Sequence, residues 1–192
     1  MDKRLVFEHV SFTLNGQSVV GTAHVGERLS SFLREKAGAR DVKVGCDAGD
    51  CGACTVLVEG ELVCACLMPA QQAEGRRVET LAGLIDDALT RALAESFEAH
   101  GAAQCGICTP GMMVSAVALL RRAPKPDEAA VMDALGGVLC RCTGYRKIID
   151  AVMAVGEQVA AQDPTGHTGA AIQRLDGADK VTGRERFGDD IA

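Results

Sequence analysis

The sequence contains no tryptophan, one tyrosine and five phenylalanines. Aromatic rings therefore cannot dominate its packing, and any core must be built mainly from Ala, Val, Leu and Met. It has no apolar run approaching the roughly 20 residues that cross a bilayer, which argues against a membrane span. Basic residues are in the minority, 20 Lys and Arg against 26 Asp and Glu, for a formal net charge of -6. That balance argues against nucleic acid as a partner, as does the lack of a basic stripe with interleaved aromatics. The N-terminus MDKRLVFEHV carries no apolar h-region, small-residue cleavage site or twin arginine. A cytoplasmic location is therefore expected. At 192 residues and 47% hydrophobic, the chain suits a globular protein of one or two domains.

What the chain has in quantity is cysteine: nine residues in two separated groups. The first is Cys46, Cys51, Cys54, Cys64 and Cys66; the second is Cys105, Cys108, Cys140 and Cys142. Four residues separate Cys46 from Cys51 and two separate Cys51 from Cys54. That is the plant-type [2Fe–2S] spacing, with a fourth thiolate expected further along the chain. Cys66, eleven residues beyond Cys54, suits that role and leaves Cys64 over. The second group is a C-x-x-C and a C-x-C far apart, enough for one further cluster.

Two other thiol chemistries compete. Disulfides need an oxidising compartment, which nothing in the sequence suggests. Structural zinc fits paired C-x-x-C motifs, so the second group stands open between zinc and iron–sulfur. Zinc explains the first group poorly, because C-x4-C-x2-C wraps three ligands around one face of a cluster. Gly45, Gly49 and Gly52 interleave with these cysteines in VGCDAGDCGACTV. Such a loop must turn tightly and aim N–H groups at sulfur, which glycine permits.

The chain divides into three parts. Residues 1–77 are rich in strand and turn signals. Leu5–Phe12 and Ser18–Val25 flank an Asn15-Gly16 turn, and Thr55–Val58 and Glu61–Val63 flank Glu59-Gly60. Arg28–Ala37 is predicted as a helix with Leu29, Phe32 and Leu33 on one face and Gly38 beyond its end. Two hairpins, a helix and a cluster loop match the ferredoxin β-grasp plan. Residues 78–160 are predicted helical. One helix is expected from Glu79 to about Ala99, with Leu81, Leu84, Ile85, Leu89, Leu93 and Phe97 at helical spacing. Others are expected over Gly111–Arg122 after Pro110, Asp127 to about Leu139, and Tyr145–Val159. Cys105 and Cys108 then precede one helix start, and Cys140 and Cys142 lie between two helices. The fold class is thus α+β, a β-grasp domain followed by a four-helix domain. Residues 161–192 show no sustained periodicity, yet Ile172, Leu175, Val181, Phe187 and Ile191 are suited to docking on a partner.

The stretches GCDAGDCGACTVLVEG, ACLMPA, QCGICTPGMM and CRCTGY together resemble the iron–sulfur subunit or domain of the molybdenum hydroxylases. That family includes xanthine dehydrogenase, aldehyde oxidoreductase and the N-heterocycle and carbon monoxide dehydrogenases. The resemblance covers about residues 4–160 and favours iron–sulfur for the second group. It implies two [2Fe–2S] clusters, held by Cys46, Cys51, Cys54 and Cys66 and by Cys105, Cys108, Cys140 and Cys142.

By the same resemblance, a partner subunit holds a molybdopterin-type molybdenum cofactor and hydroxylates a carbon of an N-heterocycle, purine or aldehyde. Electrons then leave one at a time through the helical-domain cluster and the β-grasp cluster to a flavin (FAD) on another subunit, or to another acceptor. The resemblance puts Gln104 and the Cys142 loop near the pterin. It likens RLDGADKVTGRERFGDDIA to the segment opening the molybdopterin-binding portion, so an extended connector on the molybdenum subunit is expected. The chain itself has no catalytic acid, base or nucleophile to name. His9, His24, His100 and His167 show no ligand spacing, and Met112 and Met113 read as packing. Arg76, Arg77, Arg121 and Arg122 read as solvated charges. A free-standing ferredoxin-like carrier is the alternative; the helical part and the connector speak against it.

Overall fold

The structure, a computed structural model, describes residues 6–155 and 174–191. Five strands form one mixed sheet in the order β2-β1-β5-β3-β4. They are β1 (Phe7–Leu14), β2 (Gln17–His24), β3 (Thr55–Val58), β4 (Glu61–Cys64) and β5 (Arg77–Glu79). Both expected hairpins form. Asn15 and Gly16 take φ of 51° and 80°, and Glu59 and Gly60 take 52° and 86°. Left-handed conformation at both central residues matches the twist of the flanking strands. Since Asn15 and Gly16 fill the turn, Leu14 pairs with Gln17 and β1 runs two residues past the predicted Phe12.

The strand missing from the sequence reading is β5. At three residues it is too short to show alternation, yet it sits at the sheet's centre, parallel to β1 and antiparallel to β3. The predicted helix over Arg28–Ala37 also differs. A short α1 (Leu29–Ser31) widens into a π turn over Phe32–Lys36, closed by Ala37 N–H donating to the Phe32 carbonyl. Leu29, Phe32 and Leu33 are all buried under the sheet, with Val10, Phe12, Val56, Val58 and Val78.

The expected single helix over Glu79–Ala99 is two: α2 (Leu81–Leu84) and α3 (Ala88–Ala99). Glu79 closes β5, and the Thr80 N–H is bound by the Asn15 side chain at 2.8 Å. The break lies before Asp87, whose extended backbone starts α3. Then come α4 (Thr109–Arg122), α5 (Glu128–Leu135) and α6 (Arg146–Met153). Asp127 caps α5 by accepting the Ala130 N–H at 2.8 Å, and Gly136-Gly137 end it four residues short of Leu139. Helices α3 to α6 pack as a four-helix group around Leu93, Phe97, Met112, Met113, Val117, Val131, Leu135 and Ile148. Strand β3 joins the two cores. Val56 and Val58 point into the sheet's core while Leu57 points into the helical one.

Residues 174–191 are not the extended connector that was expected. They form α7 (Gly177–Val181) and α8 (Gly188–Ile191) and fold back on the chain. Val181 is buried in the helical core, and α7 packs on α3 and α4. Asp190, only 2% exposed, pairs with Arg34 at 2.9 Å and Lys43 at 3.1 Å in the sheet-bearing half. Lys43 also donates to the Glu185 carbonyl and lies over the Phe187 ring at 4.9 Å. Ionic groups supply what the apolar content could not, a contribution invisible to a periodicity reading. Ile172 and His167, and residues 156–159 of the last predicted helix, lie outside the described residues. Among the described residues no helix is long and apolar enough to cross a membrane.

Candidate metal centres

All nine cysteines are free thiols, and the fold brings Cys46, Cys51, Cys54, Cys64 and Cys66 within electrostatic reach of one another in one region and Cys105, Cys108, Cys140 and Cys142 in another. The first set is built on the loop between the π turn and β3. Cys46 Sγ receives the N–H groups of Ala48 and Cys51 at 3.3 Å each. These donors, with the Cys51 thiol, draw the Cys46 pKa down to about 7. Gly45 is required by a close approach: a Cβ there would lie 2.9 Å from Cys51 Sγ. The second half of the set is buried. Cys54 Sγ accepts the Cys66 N–H at 3.4 Å and is bonded to the Cys66 thiol. Burial, assisted by that neighbour, pushes the Cys54 thiol up to about 12. The set is thus two pairs, Cys46 with Cys51 and Cys54 with Cys66.

Cys64 lies near enough to Cys66, Cys51 and Cys46 to interact with them electrostatically, but its hydrogen-bond partner is not one of these cysteines. Strand β4 ends at Cys64, so the alternation that would aim Cys64 and Cys66 at one face stops there. The Cys64 thiol instead bonds with Thr55, its cross-strand partner, and burial raises its pKa.

In the second set Cys108 is the N-cap of α4, with Pro110 in the first turn. Cys108 is buried, and desolvation raises its pKa strongly, with the adjacent Cys140 adding to the effect. Cys105 and Cys142 are exposed, and their thiols are hydrogen-bonded to each other. Here too there are two pairs, Cys108 with Cys140 and Cys105 with Cys142. The Cys140 sulfur lies 3.1 Å from the Thr143 hydroxyl and accepts the Thr143 N–H at 3.4 Å. Gln104 is exposed beside Cys105, and its carbonyl accepts from Arg174 of the connector at 3.3 Å.

The donor chemistry fits a [2Fe–2S] cluster in each set. Four thiols per set match the ligand count, and the pairing offers two sulfurs to each of two irons. The buried thiols Cys54 and Cys108 become thiolates only when a cation compensates, as a metal centre does.

The two sets are joined by backbone. Leu139 N–H donates to the Cys51 carbonyl at 2.9 Å, linking a ligand of one set to the residue preceding Cys140 of the other. The seam has no room for side chains. A Cβ on Gly52 would fall 2.1 Å from the Gly137 carbonyl oxygen, and one on Gly111 would fall 2.6 Å from that of Gly52. Thr143, Tyr145 and this glycine seam were not read from the sequence; the Gly136-Gly137 pair before CRCTGY was the visible signal. Met112 and Met113 are fully buried, Arg77 pairs with Glu59 at the surface, and the His100 ring contacts the Ser96 carbonyl at 2.8 Å.

Residues 12–82 match the 2Fe-2S iron-sulfur cluster binding domain family, and residues 80–153 match the [2Fe-2S] binding domain family. Over 150 residues the chain is 41% identical to the nicotine 6-hydroxylase small subunit of Paenarthrobacter nicotinovorans, covering 78% of this chain and 90% of the relative. It is 42% identical over 151 residues to the nicotinate dehydrogenase small FeS subunit of Eubacterium barkeri, covering 79% and 96%. The aldehyde oxidoreductase structure from Desulfovibrio desulfuricans superposes with a TM-score of 0.85 at 36% identity. That match covers 95% of this chain and 22% of the larger one.

Proposed function

The chain belongs to the iron–sulfur subunits of the molybdenum hydroxylase family, and from that premise we propose how its residues serve electron transfer. Cys46, Cys51, Cys54 and Cys66 hold one [2Fe–2S] cluster; Cys105, Cys108, Cys140 and Cys142 hold the other. When bound, each supplies a one-electron redox couple. The subunit thereby carries electrons singly from a molybdopterin centre on a partner to a flavin subunit or another acceptor. No substrate chemistry is assigned to this chain.

What the chain's own residues do follows from their placement. The exposed edge at Gln104, Cys105 and Cys142 is where the molybdopterin-bearing partner docks, with the Gln104 amide offering donors and an acceptor to a pterin edge. Leu139 N–H and the Cys51 carbonyl give a backbone hydrogen-bond route between the two ligand sets. The close approach at Gly52 and Gly111 leaves no space for side chains at those positions beside that route. The observation that supports the reading is that the two cysteine groups are brought together, with Cys51 hydrogen-bonded through its carbonyl to the residue before Cys140.

The connector has two parts to play. Val181 and Phe187 are used within the chain, whereas Leu175 and Ile191 are exposed and available to the partner. Relatives that are separate small subunits align over about 150 residues, while the superposition on the longer aldehyde oxidoreductase reaches 95% of this chain. That difference favours the connector as the tether to the molybdenum-bearing portion, raising the effective concentration of the ligand-bearing domains beside it. Two of the relatives are named for nicotine and nicotinate, which favours an N-heterocycle for the partner, with purines and aldehydes also within the family. Nine reduced cysteines fit a reducing compartment, and we place the subunit in the cytoplasm.

Purification of the tagged chain from its native cells tests this. A large molybdenum-containing subunit should co-purify, and a chain lacking residues 166–192 should retain less of it. Recovery of the chain alone, loaded with iron and fully active as a soluble carrier, would overturn the reading.

A further inference from the structure

Within CRCTGY, Gly144 and Tyr145 are both left-handed, with φ of 66° and 69°. For glycine this is free; for tyrosine it costs on the order of 1 kcal/mol or more and persists only where surrounding contacts impose it. Those contacts converge on Cys140. The Tyr145 N–H donates to Thr143 Oγ1 at 3.1 Å, and the Tyr145 hydroxyl oxygen accepts the Cys140 N–H at 2.9 Å. Thr143 Oγ1 lies 3.1 Å from Cys140 Sγ. Cys140 as a ligand is a thiolate with no proton to give, so in that contact the Thr143 hydroxyl is the donor. At Cys46 and Cys54 the sulfurs receive backbone N–H groups, whereas at Cys140 the sulfur receives a side-chain hydroxyl as well.

We propose that Thr143 and Tyr145 are positioning residues that set the reduction potential of the helical-domain cluster, through the Thr143 hydroxyl on the Cys140 sulfur. This rests on the assignment of Cys140 as a ligand. Adding one electron to a thiolate-ligated cluster increases its negative charge, and a hydrogen bond to a ligand sulfur stabilises that form. The bond therefore raises the potential. The left-handed Tyr145 is the aiming device: its N–H holds the Thr143 hydroxyl oxygen, and its phenol oxygen anchors the Cys140 backbone.

The test is a redox titration of the full chain with its clusters, followed by electron paramagnetic resonance, in Thr143→Val, Thr143→Ala, Thr143→Ser and Cys140→Ser variants. Thr143→Val should shift the midpoint of the helical-domain signal to more negative potential and leave the other signal where it was. Thr143→Ala, which also lacks the hydroxyl but relieves any packing strain, should shift in the same direction. Thr143→Ser restores the donor and should return the midpoint to that of the unaltered chain. An unmoved midpoint in Thr143→Val and Thr143→Ala, or an equal shift in Thr143→Ser, overturns the proposal. Cys140→Ser separates the two levels: survival of the normal signal there would overturn the ligand assignment itself, whereas its alteration or loss with an unmoved Thr143→Val midpoint would sink only the tuning role.

Discussion

The carbonyl oxygen of Cys51 accepts the backbone N–H of Leu139 at 2.9 Å, so a member of one cysteine set is hydrogen-bonded to the residue that precedes Cys140 of the other. Neither half of the molecule could make this contact with ordinary residues at Gly52 and Gly111. The fold brings the sets together by removing side chains from the seam rather than by adding complementary ones.

Gly52→Ala should therefore damage the link between the sets. Its φ of 67° is unfavourable for alanine, and the new Cβ would meet the Gly137 carbonyl at 2.1 Å. A loss of about 1–3 kcal/mol of stability is expected, with a weaker magnetic interaction between the two reduced clusters. Gly111→Ala separates the causes: alanine is the better helix former by about 1 kcal/mol, yet its Cβ would fall 2.6 Å from the Gly52 carbonyl oxygen. Stabilisation by Gly111→Ala, read by thermal unfolding, would show that the seam is looser than described.

Cys64 should be dispensable and Cys66 should not. Cys66 is hydrogen-bonded to Cys54, whereas Cys64 is hydrogen-bonded to Thr55 across the β3–β4 hairpin. Cys64→Ala should retain the β-grasp signal in electron paramagnetic resonance, and Cys66→Ala should lose it. The opposite pattern would exchange the two assignments.

Asp190 should make the fold acid-sensitive. Burial opposes its charge, but the Phe187 N–H, the Lys43 ammonium and the Arg34 guanidinium outweigh it and hold the pKa at about 2, below the ordinary 3.8. A depressed carboxylate pKa contributes stability above the unfolded value, and that stability is lost as pH falls from about 4 to about 2. Asp190→Asn leaves Lys43, itself only 3% exposed, without its carboxylate and should cost about 3 kcal/mol near neutral pH. It should also flatten the acid limb of the stability profile. Equal acid dependence in both proteins, measured by denaturant unfolding from pH 2 to 7, would contradict this.

The same contacts alter what limited proteolysis should show. Apolar content alone suggests that the connector is cut early in the isolated chain. With Asp190 clasped by Lys43 and Arg34, and Arg174 donating to the Ala103 carbonyl at 3.0 Å, residues 174–191 should instead resist cleavage. Asp190→Asn should restore early cutting there. Rapid cleavage within 174–191 of the unaltered chain would sink the clasp.

Much of this architecture was legible in the residues because local chemistry dictated it. Asn15-Gly16 and Glu59-Gly60 could scarcely be anything but hairpin turns, and the cysteine spacing pointed to a cluster loop before any coordinate was known. What escaped was non-local. The strand Arg77–Glu79 is defined by its partners β1 and β3 rather than by its own pattern. The widening of the helix at Phe32–Lys36 depends on packing Leu29, Phe32 and Leu33 together under the sheet. The clasp at Asp190 spans 147 residues to Lys43, and a charge pair at that separation leaves no periodic trace. Tyr145 escaped because a left-handed tyrosine has no propensity signature; only its bonds to Thr143 and Cys140 explain it.

The most direct measurement is iron and acid-labile sulfide analysis combined with electron paramagnetic resonance on the reduced chain and its Cys51→Ser and Cys108→Ser variants. The account expects about four irons per chain and two distinct signals, of which Cys51→Ser removes one and Cys108→Ser the other. Zinc in either set, or a single four-iron cluster, would contradict it.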